Sequence, residues 1–313
     1  SLLASPLKRE GRSGICLLDT AHNKDNASAS PAAEVFEESS PACYVVRDDR
    51  YIYTANYHEG TILIYGIKYE AGSHGHEKRP ARPYLELAKR ILIAPKAGCH
   101  QILFHSHYMM VPCLLLDKVM VFDCQKDFIL VSELPFDKGT CPRHGIFDRD
   151  HKQLFLVSEL SNQVFVYSLT EDAAAGTDSS HNSISLPDFS MRLLHICSIL
   201  PSDAVYEEPP ASAAIRLSPD ERFLYVSTRF AEVITVFKID HGCLAQIQQT
   251  GCGGIHPRDM VLTPDGRYLL VANRTRGGLV SFQINQETGR LMDICSRVPA
   301  PEAVSIVLSQ HTI

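Results

Sequence analysis

Residues 212–239 set the pattern of the chain. An apolar run (SAAIRL) meets a polar turn (SPDER), then a denser apolar run (FLYVS), a short polar link and an alternating run (EVITVFKI). Short apolar or alternating runs bounded by turn residues predict β-strands joined as hairpins. The same order recurs at residues 41–68, 98–124, 141–169 and 256–284. In turns such as SPDER and TPDGR, Pro presets φ while Asp or Gly tolerates the tight reversal.

Aligned at the end of the second strand, the repeats place Asn56, Cys113, Glu159, Thr228 and Asn273 at spacings of 57, 46, 69 and 45. A period of roughly 40 to 50 residues with several short strands per unit predicts an all-β fold, a β-propeller, folding as a single domain. Blade-like units are expected near 1–40, 41–97, 98–140, 141–211, 212–255 and 256–313. The two long spacings hold polar inserts, at 68–83 and 170–183, expected as exposed loops. YLELAKRIL at 84–92 fits an amphipathic helix or an outer strand. Residues 1–19 resemble the later strands of a blade, and EAVSIVLS at 302–309 fits a strand that closes the ring.

Composition narrows the function. With 313 residues, 45% of them hydrophobic, the chain can bury a sizeable core. Its formal charge of -6 argues against general affinity for nucleic acid or an anionic membrane, while permitting a local basic pocket. Windows such as LFLVSEL and MMVPCLLL are far shorter than the roughly 20 residues that span a bilayer, and residues 1–30 lack a signal-peptide core. A soluble, cytoplasmic protein is expected. The ten cysteines form no C-x-x-C pair and are scattered through apolar runs, so they read as reduced core thiols in a reducing compartment.

Other motifs add little. HEKRPAR at 76–82 lacks interleaved aromatics and reads as a solvated loop. His105 and His107 in FHSHY are expected on one strand face without further ligands, so neither metal nor cofactor is expected. There is no glycine-rich phosphate loop and no G-x-S-x-G elbow.

CPRHGIFDRDHKQLFLVSELSNQVFVYSL, SAAIRLSPDERFLYVSTR, IHPRDMVLTPDGRYLLVAN and ANYHEGTILIY occur in blade order. They resemble the lactonase-type seven-bladed β-propeller family, which includes propeller 6-phosphogluconolactonases and the fungal 3-carboxy-cis,cis-muconate lactonizing enzyme. Six units are visible here, and the resemblance implies that the N-terminal blade is incomplete or absent. It also implies a central-channel catalytic cluster. The family's P-H motif falls on His100, P-R-H on Arg143 and His144, V-N-E-L on Glu159 and S-N-R on Arg229; H-P-R falls on His256 and Arg258. Cys99 stands where Pro is usual, Cys113 where Asp is frequent, and Thr228 where Asn is usual.

In an antiparallel hairpin Arg143, beside the start of one strand, and Glu159, at the end of the next, reach one end together. His100 or Glu159 can act as general base or acid, while Arg143 and Arg229 can stabilise an oxyanion or grip a carboxylate or phosphate. His100 is favoured as base, with Glu159 orienting it or shuttling a proton. His144, His256, Arg258 and Asn56 are the candidate substrate contacts. Alone, each residue reads as an ion pair, a loop histidine or a strand-end residue; only their convergence points to a site. The expected activity is hydrolysis of a sugar lactone, as in the pentose phosphate pathway, on a small lactone or carboxylated substrate. The rivals are a lactonizing enzyme acting on a carboxymuconate-like acid and a non-catalytic propeller binding a protein partner.

Overall fold

The computed structural model describes residues 2–19, 31–70, 82–171 and 183–308. Most of both polar inserts lies outside the described residues. The chain falls into two compact units, one of residues 1–116 with 124–128 and the other of residues 117–123 with 129–313.

In the first unit, β1 (Leu2–Arg9), β2 (Arg12–Asp19) and β3 (Pro31–Glu38) form a three-stranded antiparallel sheet. β4 (Tyr44–Arg47), β5 (Tyr51–Asn56), β6 (Thr61–Tyr69) and β7 (Pro83–Leu92) form a four-stranded meander. Residues 84–92 are thus a strand, whose alternating exposure is that of a sheet edge. Ile15, Leu17, Ile52, Leu63, Tyr65 and Leu85 pack these two sheets together. β8 (Leu103–His105) and β9 (Tyr108–Cys113) complete the unit's strands.

In the second unit, β10 (Lys118–Asp123) pairs with β11 (Ile129–Pro135). Next come β12 (Pro142–Phe147), β13 (Gln153–Ser158), β14 (Gln163–Thr170), β15 (Ser183–Ser185) and β16 (Ser190–Ser198), ordered β12-β13-β14-β16-β15. Two four-stranded meanders follow. They are β17 (Ala211–Leu217), β18 (Phe223–Arg229), β19 (Val233–Asp240) and β20 (Cys243–Gly251), then β21 (Ile255–Leu262), β22 (Tyr268–Arg276), β23 (Gly278–Ile284) and β24 (Leu291–Val298).

Burial explains the hydrophobic pattern. β18 is buried along its whole length because sheets cover both its faces, whereas β20 and β24 each bury a single residue. Phe155, Val157, Ile215 and Val226 belong to one intersheet core, and Tyr225, Val236, Met260 and Val271 to the next. The hairpin turns repeat one chemistry. Ser218 and Thr263 hydroxyls accept from Phe223 and Tyr268 N–H at 3.0 and 3.1 Å and donate to Asp220 and Asp265. Asp148 caps the equivalent turn by accepting from Lys152 and Gln153 N–H.

Residues 302–308, expected within a closing strand, form no strand. The Ile306 N–H donates at 3.0 Å to the Asp259 carboxylate, which also accepts from the Ser305 hydroxyl at 3.2 Å, so a side chain takes the place of a strand neighbour. No helix among the described residues is long and apolar enough to cross a membrane.

Candidate active site

β12 begins with Pro142, Arg143 and His144, and its register to β13 shifts within that triplet: Pro142 faces Ser158, but His144 faces Val157. Arg143 is therefore the extra residue of a β-bulge, freed from strict ladder alternation. Its side chain is 1% exposed. Nε donates to Glu159 Oε2 at 2.8 Å, and Nη1 donates to the Ala213 carbonyl.

Glu159 follows β13 directly, and its backbone is held on both sides. Its N–H donates to the Cys141 carbonyl at 2.8 Å, and its carbonyl accepts from Ser212 N–H at 2.9 Å. Arg229, the last residue of β18, brings Nη2 to 2.8 Å from the same Oε2, while its Nε donates to the Ala211 carbonyl at 3.1 Å. The Nη2 contact is an ion pair outside hydrogen-bond alignment. Proximity in a buried setting, rather than angle, carries its attraction. Two guanidiniums converge on Oε2, no described residue hydrogen-bonds Oε1, and the Glu159 side chain is 20% exposed.

β21 is irregular in the same way. Its register departs between Ile255 and Pro257 and again between Pro257 and Asp259, which takes His256 and Arg258 out of the regular pairing. His256 has φ of 64°, the left-handed region that histidine seldom occupies. Its N–H donates to the Glu232 carboxylate, which also accepts from Phe230 N–H at 3.1 Å. The Phe230 ring meets His256 edge-on at 5.5 Å and lies 6.0 Å from the Arg229 guanidinium carbon. Burial, followed by the charges of Arg229, Arg258, Arg274 and Arg143, lowers the His256 pKa to about 4. The imidazole is thus neutral at pH 7. Its Nε2 is buried with no hydrogen-bond partner among the described residues. His144 is also buried, on β12 opposite Val157.

The structure therefore brings Arg143, Glu159, Arg229 and His256 into one electrostatic neighbourhood of the second unit, and Arg258 contributes to its field. Phe230, Glu232 and Arg274 join them without having been identified in the sequence. Phe230 and Glu232 sit at positive φ in a turn that lacks Gly or Asn, so no turn signal marks them.

His100 lies in the first unit. It is 6% exposed, its N–H donates to the Pro112 carbonyl at 3.1 Å, and its ring meets Tyr57 edge-on at 6.2 Å. Asn56, in the same unit, uses its side chain as a turn brace. Nδ2 donates to the Ser40 carbonyl at 2.7 Å, and Oδ1 accepts from His58 and Glu59 N–H. His105 ends β8 while His107 sits in the turn before β9, so the expected shared strand face is not formed. The β8–β9 hairpin reverses between them, with Ser106 at φ 52°. Among the described residues no group of three or more His, Cys, Asp or Glu could hold a metal ion.

Two surface clefts of the second unit, about 300 and 240 Å³, are lined by Arg222 and Phe223. That is the end of β18 opposite Arg229, so neither cleft contains the charged cluster.

The family described as "Lactonase, 7-bladed beta-propeller" matches residues 9–308. A 6-phosphogluconolactonase of Bacillus subtilis is 27% identical over 324 residues, covering 98% of this chain and 83% of that protein. One of Klebsiella pneumoniae is 23% identical, covering 85% of this chain and 74% of its own. Among solved structures, a protein from Lactobacillus plantarum aligns with a TM-score of 0.76 at 26% identity, over 97% of this chain and 84% of that one. The periplasmic gluconolactonase of Pseudomonas aeruginosa aligns at 0.74 and 22% identity, over 95% and 80%, a likeness of fold.

Proposed function

The chain belongs to the lactonase family of seven-bladed β-propellers, and from that premise we propose that it hydrolyses a sugar lactone, with 6-phosphoglucono-δ-lactone the first substrate to test. The fold is the all-β propeller of that family. The observation that carries the reading is the meeting of Arg143 and Arg229 on one oxygen of Glu159. Two guanidiniums against one carboxylate leave a formal positive excess in a buried setting, which suits a developing oxyanion or a phosphorylated or carboxylated substrate. The neutral His256 beside them is compatible with this role, because it accepts or donates a hydrogen bond without adding charge.

In this reading, water adds to the lactone carbonyl carbon as a base removes its proton. The arginines stabilise the oxyanion. The ring C–O bond then breaks and the ring oxygen takes up a proton, giving the hydroxy acid. Glu159, with Oε1 open, acts as that base or relays the proton. The family motif at His100 makes it the other candidate for the base.

The test measures hydrolysis of freshly generated 6-phosphoglucono-δ-lactone against its spontaneous background, for wild type and Glu159→Gln. Acceleration by wild type that falls by about 10²-fold or more in a folded Glu159→Gln is expected. A well-folded wild type that does not exceed the background overturns the assignment to this substrate. Carboxymuconates in the lactonizing direction, and then protein partners, are the alternatives to assay next.

A further inference from the structure

We propose that Cys99 and Cys113 are a peroxide-oxidisable dithiol that closes to a reversible disulfide next to His100. Both side chains are fully buried, and their Sγ atoms lie 3.8 Å apart. The two residues face each other in an isolated antiparallel bridge. The hydrogen bonds flanking it run from His100 N–H to the Pro112 carbonyl and from Leu114 N–H to the Gly98 carbonyl, both at 3.1 Å. That arrangement makes Cys99 and Cys113 a non-hydrogen-bonded pair, in which opposed Cα atoms approach to about 4.5 Å. A disulfide spans Cα separations of about 4.4–6.8 Å, so side-chain torsions suffice to close the sulfurs to bonding distance. The neighbouring thiol of Cys43 is directed elsewhere, donating to the Cys99 carbonyl at 3.2 Å and the Ala55 carbonyl at 3.4 Å.

Burial slows such chemistry and selects a small, uncharged oxidant. Access comes from the weak ladder at this point. Cys99 pairs with Cys113 but Leu103 pairs with Met110, a register change of one residue across 100–102, and β8 is only 3 residues long. Few backbone bonds need open. One thiol loses its proton and its sulfur attacks a peroxide oxygen; the O–O bond breaks, giving a sulfenic acid and water. The second sulfur attacks the sulfenyl sulfur, the S–O bond breaks, a second water leaves and the S–S bond forms. The two thiols supply the two electrons that reduce the peroxide. The bond pins the backbone at the residue before His100, whether or not the chain turns over a lactone.

The experiment uses the full chain with its exposed thiols, Cys243 and Cys295, replaced by Ser. After hydrogen peroxide treatment, alkylation in denaturant, digestion and mass spectrometry, the expected product is a peptide pair joined through Cys99 and Cys113. It should lack two hydrogens and be cleaved by dithiothreitol. NMR signals of the His100 ring, assigned with His100→Gln, should shift between the oxidised and reduced forms. Full alkylation of both cysteines after prolonged exposure, or linkage of either to Cys43, overturns the site. A linked pair with unmoved His100 signals overturns the coupling to that imidazole.

Discussion

Arg143 Nε donates to Glu159 Oε2 at 2.8 Å across 16 residues of one hairpin, and the arginine is the more deeply buried partner, 1% exposed against 20%. The ion pair is anchored from the arginine side. Removing that cation takes the donor from the Ala213 carbonyl and leaves the Glu159 carboxylate with Arg229 alone.

Arg143→Ala is consequently expected to lower unfolding stability by about 3–5 kcal/mol, the cost of breaking a buried pair from one side. Glu159→Gln keeps the shape and an acceptor oxygen for the arginines, and is expected to cost less while losing turnover. Urea unfolding of the two variants beside wild type checks the order; a smaller loss for Arg143→Ala would contradict it. Glu159→Gln is therefore the cleaner probe of chemistry.

Glu38 is expected to make the first unit lose stability as pH rises from about 4.5 to 7. Burial raises its pKa from 4.5 to about 7, with the Glu59 charge adding to the effect and hydrogen bonds from Asn56 and Thr61 opposing it. Its Oε2 is buried without a hydrogen-bond partner among the described residues. The folded state thus holds a proton that the unfolded chain releases between about pH 4.5 and 7. The associated stability is complete below that window and lost as pH rises through it, by about 2–3 kcal/mol. Glu38→Gln should remove the loss, so its unfolding midpoint relative to wild type should rise from pH 5 to pH 8.

His256 imposes the opposite slope. Its folded pKa of about 4 lies below the ordinary 6.5, so the unfolded chain binds the extra proton. Stability from this group is complete above about pH 6.5 and falls away toward pH 4, by about 1–2 kcal/mol after solvent screening. His256→Asn should flatten the curve across that interval. An unchanged acid limb in the variant would show that burial and the arginine charges together perturb His256 less than the geometry implies.

Asp259 is expected to control the segment after β24. Its carboxylate pairs with Arg216 at 2.6 Å and accepts from Ser305 and Ile306. Asp259→Asn keeps one acceptor oxygen, whereas Asp259→Ala keeps none. Limited proteolysis within residues 302–308 should accelerate in the order wild type, Asn, Ala. Equal rates would mean that the segment is held by other contacts.

The one-dimensional pattern by itself determined the all-β fold and its hairpins. Apolar runs covered on both faces, alternating edge strands and Pro-Asp turns report local burial and local backbone geometry, and these translate directly into β12–β13 or β17–β18. Spacing also placed Arg143 and Glu159 at one end of a hairpin, because antiparallel pairing fixes which residues lie opposite. Residues 84–92 stayed ambiguous because their apolar positions fit both a helical and a strand period, and only pairing to β6 decides between them.

Tertiary structure alone decided the rest. A β-bulge leaves no periodic signature, so the displacement of Arg143, His256 and Arg258 from regular pairing could not be read from alternation. The sharing of Glu159 Oε2 needs Arg229 from the next sheet, and the lowered pKa of His256 comes from its burial together with arginines of three sheets. The contact of Cys99 with Cys113 needs a particular register between two irregular strands. Periodicity encodes which face of a strand is buried; it does not encode which charged or reactive groups from distant strands come within a few ångströms, because that depends on how the sheets pack.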